Sequence, residues 1–397
     1  MLPDTTGFSL DDVTDGQRYL AHAMKRLVDK HRPDLFECLD LNNDAIFLEP
    51  LLFAYFNHPS PPTPLDQILF GYISDEAKPS QLQAKSDANG VIHLPGLGYF
   101  HTDQADQHTT LERNAIQDNL DAAASAARPS TCTSASTRIT GTDIELSYSA
   151  DQLYDRYYTT PEGESQHPRI LHSAVYKKML SEALAIIREH CPQYFSHISQ
   201  VARRIVLFNN PAIRPFSTLS AHGTVFISSP EEPSVIFLVA EIIHQFGHTI
   251  LNSVLCNLRS FFNIDPNALV KSYVADRSDG RTILSAVHGL YTTTKTAECL
   301  SEIYDRSELV SSQRHELVAR LADNRDRVNT GIDFEMLPKI LTVRGQVFFA
   351  TMMKLCREIY SSRTELLYGL DTSNQPFVFD YTLFIATNPH RDASQNE

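Results

Sequence analysis

The sequence predicts an α+β chain, predominantly α-helical, with a small β element placed just before one buried helix that packs on neighbouring helices. Three observations carry this. Apolar residues recur at helical spacing through most of the second half, from ILHSAVYKKMLSEALAIIREH (170–190) to the run at 342–361. Two short stretches rich in β-branched and aromatic residues, RRIVLFNN (203–210) and TVFISS (224–229), are bounded by turn formers. The stretch that follows, SVIFLVAEIIHQFGHTILNSVL, is apolar nearly all round, as a buried helix is.

Along the chain, residues 12–31 place Tyr19, Leu20, Met24 and Leu27 at helical spacing. A second apolar stretch, 44–56, runs into the breaker HPSPPTPL, so 1–73 reads as an N-terminal helical region. Residues 74–165 read as a loop-rich insert of mobile character. They hold SDEAKPSQLQAKSDANG and DAAASAARPSTCTSASTR, and GVIHLPGLGYF (90–100) is a short strand or docking segment within them. Residues 166–397 form the mainly helical catalytic region. Its helix over 170–190 stops before Pro192. Ser228 or Ser229 is the expected cap of the buried helix, with Glu231 and Glu232 at the positive end of its dipole. Gly247 inside that helix costs about 1 kcal/mol against alanine, which points to a close neighbour. After a linker, helices are expected at 281–304, 307–326 and 342–361, before a frayed tail, NPHRDASQNE.

Composition narrows the classes. The 397 residues are 42% hydrophobic, with 48 acidic against 34 basic side chains, a formal charge of −14, and a mean hydropathy of −0.24. Such a chain is ill suited to hold nucleic acid by counterion release, and no Lys/Arg stripe appears. The opening residues lack the basic and apolar segments of a secretory signal. No apolar run is expected to reach the roughly 18 residues of a membrane span. The six cysteines (Cys38, Cys132, Cys191, Cys256, Cys299, Cys356) are scattered without a C-x-x-C pair. That suits a reducing cytoplasm and argues against a thiolate zinc site. Cys256 and Cys299 fall in apolar helical patterns as small core residues.

The chemistry concentrates in EIIHQFGHTIL (241–251). His244 and His248 stand four apart, so one helix face can offer two imidazoles to one metal, and Glu241 falls on that face too. A third ligand must come from elsewhere. His288, in the middle of the next long helix, is favoured if the two helices run antiparallel; Glu298 and Glu302 are its rivals. Against this stands the plain reading of buried, hydrogen-bonded core histidines. Gln245 occupies the place where H-E-x-x-H peptidases carry a general base. Glutamine takes no proton at neutral pH, and loss of a positioned base costs about 10²–10⁴ in rate. The metal pair does not need that residue. Non-haem iron, with three protein ligands and open positions, suits the pattern better than hydrolytic zinc, and Glu241 is then expected to orient His244. A 2-oxo acid co-substrate would need a cation: Arg281 stands seven residues before His288, and Arg277 four before Arg281.

HGTVFISSP, HQFGH followed by TILN, DRSDGR with a histidine seven residues after its last arginine, and LTVRGQ (341–346) occur in that order. Together they resemble the HExxH-type peptide β-hydroxylases, 2-oxoglutarate- and Fe(II)-dependent enzymes of ribosomal-peptide natural-product pathways. The likeness spans roughly 200–350. It implies His244, His248 and His288 as iron ligands and Arg281, ahead of Arg277, for the 2-oxoglutarate carboxylate. It also implies O₂ as co-substrate and a precursor peptide as partner. Gln245 departs from the glutamate usual in that family, and residues 74–165 match nothing in it. The alternatives are a zinc metallohydrolase-like protein and a catalytically inactive peptide-binding module. A peptide added as a strand near 204–229 is the expected docking mode. His222, Asn209 and Asn210 read as turn residues, and His315-Glu316 does not continue as a second metal motif.

Overall fold

A computed structural model describes residues 8–125, 137–160, 162–166, 168–273, 279–328 and 336–389. The fold is α+β and predominantly helical. The chain divides into two compact units: a mixed unit of Asp15–Ser181 and Val201–Glu232, and a helical unit of Met1–Thr14, Glu182–Gln200 and Pro233–Glu397.

The mixed unit takes most of α1 (Leu10–His31) and the short helices α2 (Pro33–Phe36), α3 (Asp44–Phe47), α4 (Pro50–Asn57) and α5 (Leu65–Leu69). Proline opens α2 and α4, where its missing N–H is no loss. Residues 74–125 hold four short strands and a helix between their loops, and the short strand expected at 90–100 is a hairpin. Strand β1 (Gln81–Lys85) pairs antiparallel with β4 (His108–Glu112), β2 (Val91–Leu94) pairs with β3 (Gly98–His101), and α6 (Arg113–Ser125) follows. Phe70, Leu82, Ala84, Ile92, Leu94, Phe100 and Ile116 form one apolar core there. The strands are four or five residues long, and QLQAK offers only two apolar side chains in alternation. A period that short is lost among polar neighbours.

The larger sheet runs β5 (Glu145–Leu146), β7 (Arg204–Asn209), β9 (Thr224–Ser228), β8 (Phe216–Ser217), with β6 (Arg169–Ile170) also on β7. β7 and β9 are parallel, Ile205 opposite Val225. Both match the expected strands. Neither is an edge: β7 is paired on both sides, and β9 lies between β7 and β8. A peptide strand near 204–229 would therefore have to add on the β8 side of the sheet, where β8 pairs with Val225 and Phe226 of β9. The helix expected from 170 begins later, as α7 (Ala174–His190), because 169–170 pair with β7.

Arg204 of β7 is 3% exposed and anchors a buried polar cluster. It donates to Glu49 at 3.3 Å, to both oxygens of Glu145 at 3.3 and 3.4 Å, and to the Tyr154 hydroxyl at 3.3 Å. Glu49 also caps α4 and accepts from Tyr72 at 3.0 Å. His93 stacks on Tyr99 with ring centres 4.2 Å apart, and Tyr99 bonds Glu145.

His222, a turn residue as expected, is buried with a ring nitrogen 2.7 Å from Gln17 Nε2. Burial, with the nearby Arg203 charge, lowers its pKa to about 3. The unfolded chain takes this proton near pH 6.5 and the folded chain does not. Stability held by the neutral ring is thus full above about pH 6.5 and lost as pH falls toward 3. Between pH 6.5 and 4.5, wild type should lose about 2–3 kcal/mol more than His222→Gln, read from urea unfolding at the two pH values.

The helical unit contains α8 (Pro192–Val201), α9 (Val235–Val254), α10 (Ile283–Arg306), α11 (Ser311–Arg327), α12 (Leu337–Ile340), α13 (Val343–Ser362) and α14 (Tyr381–Thr387). α10 packs on α9, α11 and α13, and α11 also packs on α9. Ile236, Leu238, Val239, Ile242, Ile243, Phe246, Ile250 and Leu251 of α9 are all fully buried. Such side chains each contribute about 1.5–3 kcal/mol. By length and composition α9 reaches the threshold for a membrane span, contrary to the expectation from the sequence, yet 72% of that stretch is buried inside the fold. Its cap is Ser234, whose hydroxyl accepts from Phe237 N at 2.8 Å, not Ser228 or Ser229. Those serines bond the carbonyls of Asn210 and Pro230, and Glu231 pairs with Arg169 ahead of the helix. Pro230 and Pro233 keep the residues before them out of helical conformation, so the helix cannot begin there. LTVRGQ is a structural joint: Thr342 caps α13, and a Cβ at Gly345 would collide with the Phe261 carbonyl oxygen. Cys299 is buried and Cys256 half-buried, and the described cysteines are free.

Candidate metal centre

The helical unit brings the three histidines together. Contacts run in opposite directions along α9 and α10: His248 meets His288, while Gly247, one residue earlier, meets Thr292, four later. The helices are therefore antiparallel at this point, as the third-ligand argument required. His248 Nδ1 stands 3.1 Å from His288 Nδ1, with the rings nearly parallel, 17° apart. The His244 ring lies edge-on to that of His248, centres 5.1 Å apart. Glu298 and Glu302 lie ten and fourteen residues beyond His288, about 15 and 21 Å along α10. Glu298 pairs with the buried Lys295, and Glu302 faces Arg306 at 4.0 Å. Of the three candidates, His288 is the one set against His248.

Burial keeps all three rings neutral. It lowers His244 to about 4, helped by the charge of Arg327, and His288 to about 4. It holds His248 well below the usual range, with its two neighbours adding to the effect. A neutral imidazole keeps a lone pair for a metal, so the donor chemistry fits. Two nitrogens sharing a metal through bonds of about 2.1 Å at near-octahedral to tetrahedral angles would lie about 3.0–3.4 Å apart. The His248–His288 separation falls in that range, though a simple N–H···N hydrogen bond spans it too. Convergence is incomplete: among the described residues, no group of three or more His, Cys, Asp or Glu side chains surrounds a single point as a metal cage does.

The surroundings differ from expectation at Glu241 and Arg281. Glu241 accepts from Gln245 Nε2 at 3.4 Å and feels the charge of Arg320, rather than orienting His244. Burial pushes its pKa up, and both partners pull it back. Gln245 is 4% exposed, and its Oε1 has no hydrogen-bond partner, an orphaned buried acceptor on the histidine helix. Arg281 precedes the Thr282 cap, so the two-turn count to His288 does not apply. Its guanidinium is held on Asp279, two residues back, at 2.7 Å. Arg277 lies outside the described residues.

Sequence reasoning expected α11 as a helix but missed its part in the site. Arg320 acts on Glu241 and Arg327 on His244, and each is already paired, with Glu316 and Asp323. The i,i+4 pairs in HELVARLADNRDR are the signal that could have found them. It also missed Tyr194 of α8, whose hydroxyl donates to Ile243 O at 2.8 Å and occupies the space beside Gly247.

That contact explains Gly247. A Cβ there would stand 3.0 Å from Tyr194 Oη and 3.1 Å from Thr292 Cγ2. Alanine gains about 1 kcal/mol in helix propensity, but crowding costs about 1–3 kcal/mol where the neighbours are fixed. Tyr194 is fixed by its hydrogen bond. Gly247→Ala should therefore lower stability by about 1 kcal/mol, measured by urea unfolding.

No protein-family model matches the chain, and no curated protein matches it.

Proposed function

We propose that the protein is a 2-oxoglutarate- and Fe(II)-dependent oxygenase that hydroxylates the β-carbon of a residue in a ribosomally made precursor peptide. The observation that carries this is the 3.1 Å approach of His248 Nδ1 to His288 Nδ1 across two antiparallel buried helices, with His244 beside them. The order of HQFGH, the later histidine and LTVRGQ supports the substrate class through the resemblance described above.

His244, His248 and His288 would hold the metal. Ferrous iron with 2-oxoglutarate and O₂ supplies the oxidising chemistry when bound. The chain's own part is positional and electrostatic. Apolar α9 keeps water from the imidazoles and so keeps them neutral. Gln245 holds the Glu241 carboxylate by an N–H bond and offers its own buried Oε1 as an acceptor. It carries no proton to exchange, so it sets polarity and shape rather than acting as a base.

A second reading has an observation of its own: His248 and His288 satisfy each other as a hydrogen-bonded core pair, the arrangement expected of an inactive module. Succinate release from 2-oxoglutarate by the Fe(II)-loaded full chain, alone and with candidate precursor peptides, separates the two. The oxygenase reading expects release that disappears in His248→Ala. No release in the folded, iron-loaded wild type with any peptide or without one favours the core pair.

A further inference from the structure

The mixed unit gathers several buried or half-buried carboxylates in one place. Glu49, Glu145, Asp151 and Asp87 cluster around one arginine, Arg204, and one imidazole, His93, whose Nδ1 lies 3.6 Å from Asp151. The charge of Arg203 also acts on Glu49. Arg204 answers Glu49 and Glu145. Asp151 and Asp87 lie on the other side, where both border a small cleft of about 10 Å³, room for about one water-sized group.

Asp87 is 6% exposed. Its Oδ1 accepts from the N–H groups of Asn89 and Val91, both at 2.8 Å, and its Oδ2 has no hydrogen-bond partner. Burial raises its pKa, with Asp151 adding to the effect and Ser149 easing it. The cleft wall adds Thr63, Ser149 and Gln152, which offer neutral oxygens. Gln67 shapes the wall, its amide fully engaged with Lys85 and His93 backbone. Lys85 borders the cleft too, but among the described residues it forms no ion pair with either carboxylate.

We propose that this cleft is a site for one hard divalent cation of the calcium class, held by Asp87 Oδ2 and Asp151 with hydroxyl, amide and water oxygens completing its shell. Oxygen donors of mixed charge in an irregular arrangement suit calcium better than magnesium, which demands a regular octahedron. A transition metal is not the occupant, because it needs more His, Cys, Asp or Glu ligands than stand around one point here.

Calorimetric titration of the chelator-treated full chain with CaCl₂ tests this. The proposal expects one calcium per chain, affinity at least tenfold lower in Asp87→Asn and in Asp151→Asn, and unchanged calcium binding in His248→Ala. Asparagine keeps the acceptor that each aspartate gives the backbone, so both variants should fold, which circular dichroism checks. A folded wild type that takes up no calcium at millimolar concentration overturns the proposal. So does calcium affinity unaltered by both substitutions.

Discussion

Arg204→Met is expected to lower the unfolding free energy by about 3–5 kcal/mol, the range for removing one partner of a buried ion pair. The side chain is 3% exposed on a strand paired on both sides, so water cannot reach what it leaves behind. What it leaves is Glu49, which also caps α4, and Glu145, which also binds Tyr99. Burial by itself would raise the pKa of Glu145, and Arg204, foremost among its attractions, brings it below the ordinary value. A carboxylate with a lowered folded pKa stabilises above the unfolded value and loses that contribution below it. The difference between wild type and variant should therefore be full at pH 7 and narrow as pH falls below about 4. Arg204→Lys should recover only part of the loss, since one ammonium cannot replace a planar fork bonded to Glu49, Tyr154 and both oxygens of Glu145. Urea unfolding at pH 7 and pH 4 reads all three.

His288→Ala is expected to weaken ferrous iron binding by more than about 100-fold, above the range seen when only a residue supporting a ligand is changed. The ring faces His248 across 3.1 Å and is kept neutral by burial alone. If the histidines are only core, the same substitution removes a hydrogen bond and some packing, about 1–3 kcal/mol, with no change in metal content. Glu298→Gln is the control. That carboxylate is committed to Lys295 and should leave iron binding as it was. Metal content by elemental analysis and stability by urea unfolding separate the outcomes.

The parts legible in the sequence were those whose signal is long or fixed by one helix. The i,i+4 pair of His244 and His248 and the apolar run around it needed only the helical period. The antiparallel placement of His288 followed from a 20-residue helix, a linker and a second long helix. Gly247 announced a neighbour, though nothing in the sequence could say that it was Tyr194 from α8. The failures have physical causes. Ser228 and Ser229 looked like caps because local preference ignores what two prolines forbid. Arg281 was counted onto the His288 face because the count assumed that the helix began before Thr282. The pairing of 81–112 was legible only as one short strand near 90–100, because strands of four or five residues in polar surroundings carry too little periodicity. The Arg204 cluster was out of reach, since Glu49, His93, Glu145 and Arg204 are separated by up to 155 positions and only the fold brings them together.

The most direct test of the metal-centre account is an anaerobic titration of the full chain with Fe(II), then with 2-oxoglutarate, following the weak visible charge-transfer absorption of a 2-oxo acid chelated to ferrous iron. The account predicts a band that saturates at one iron per chain and is absent from His244→Ala and His288→Ala. A folded wild type that binds no iron and shows no band would contradict it and leave His248 and His288 as a buried hydrogen-bonded pair.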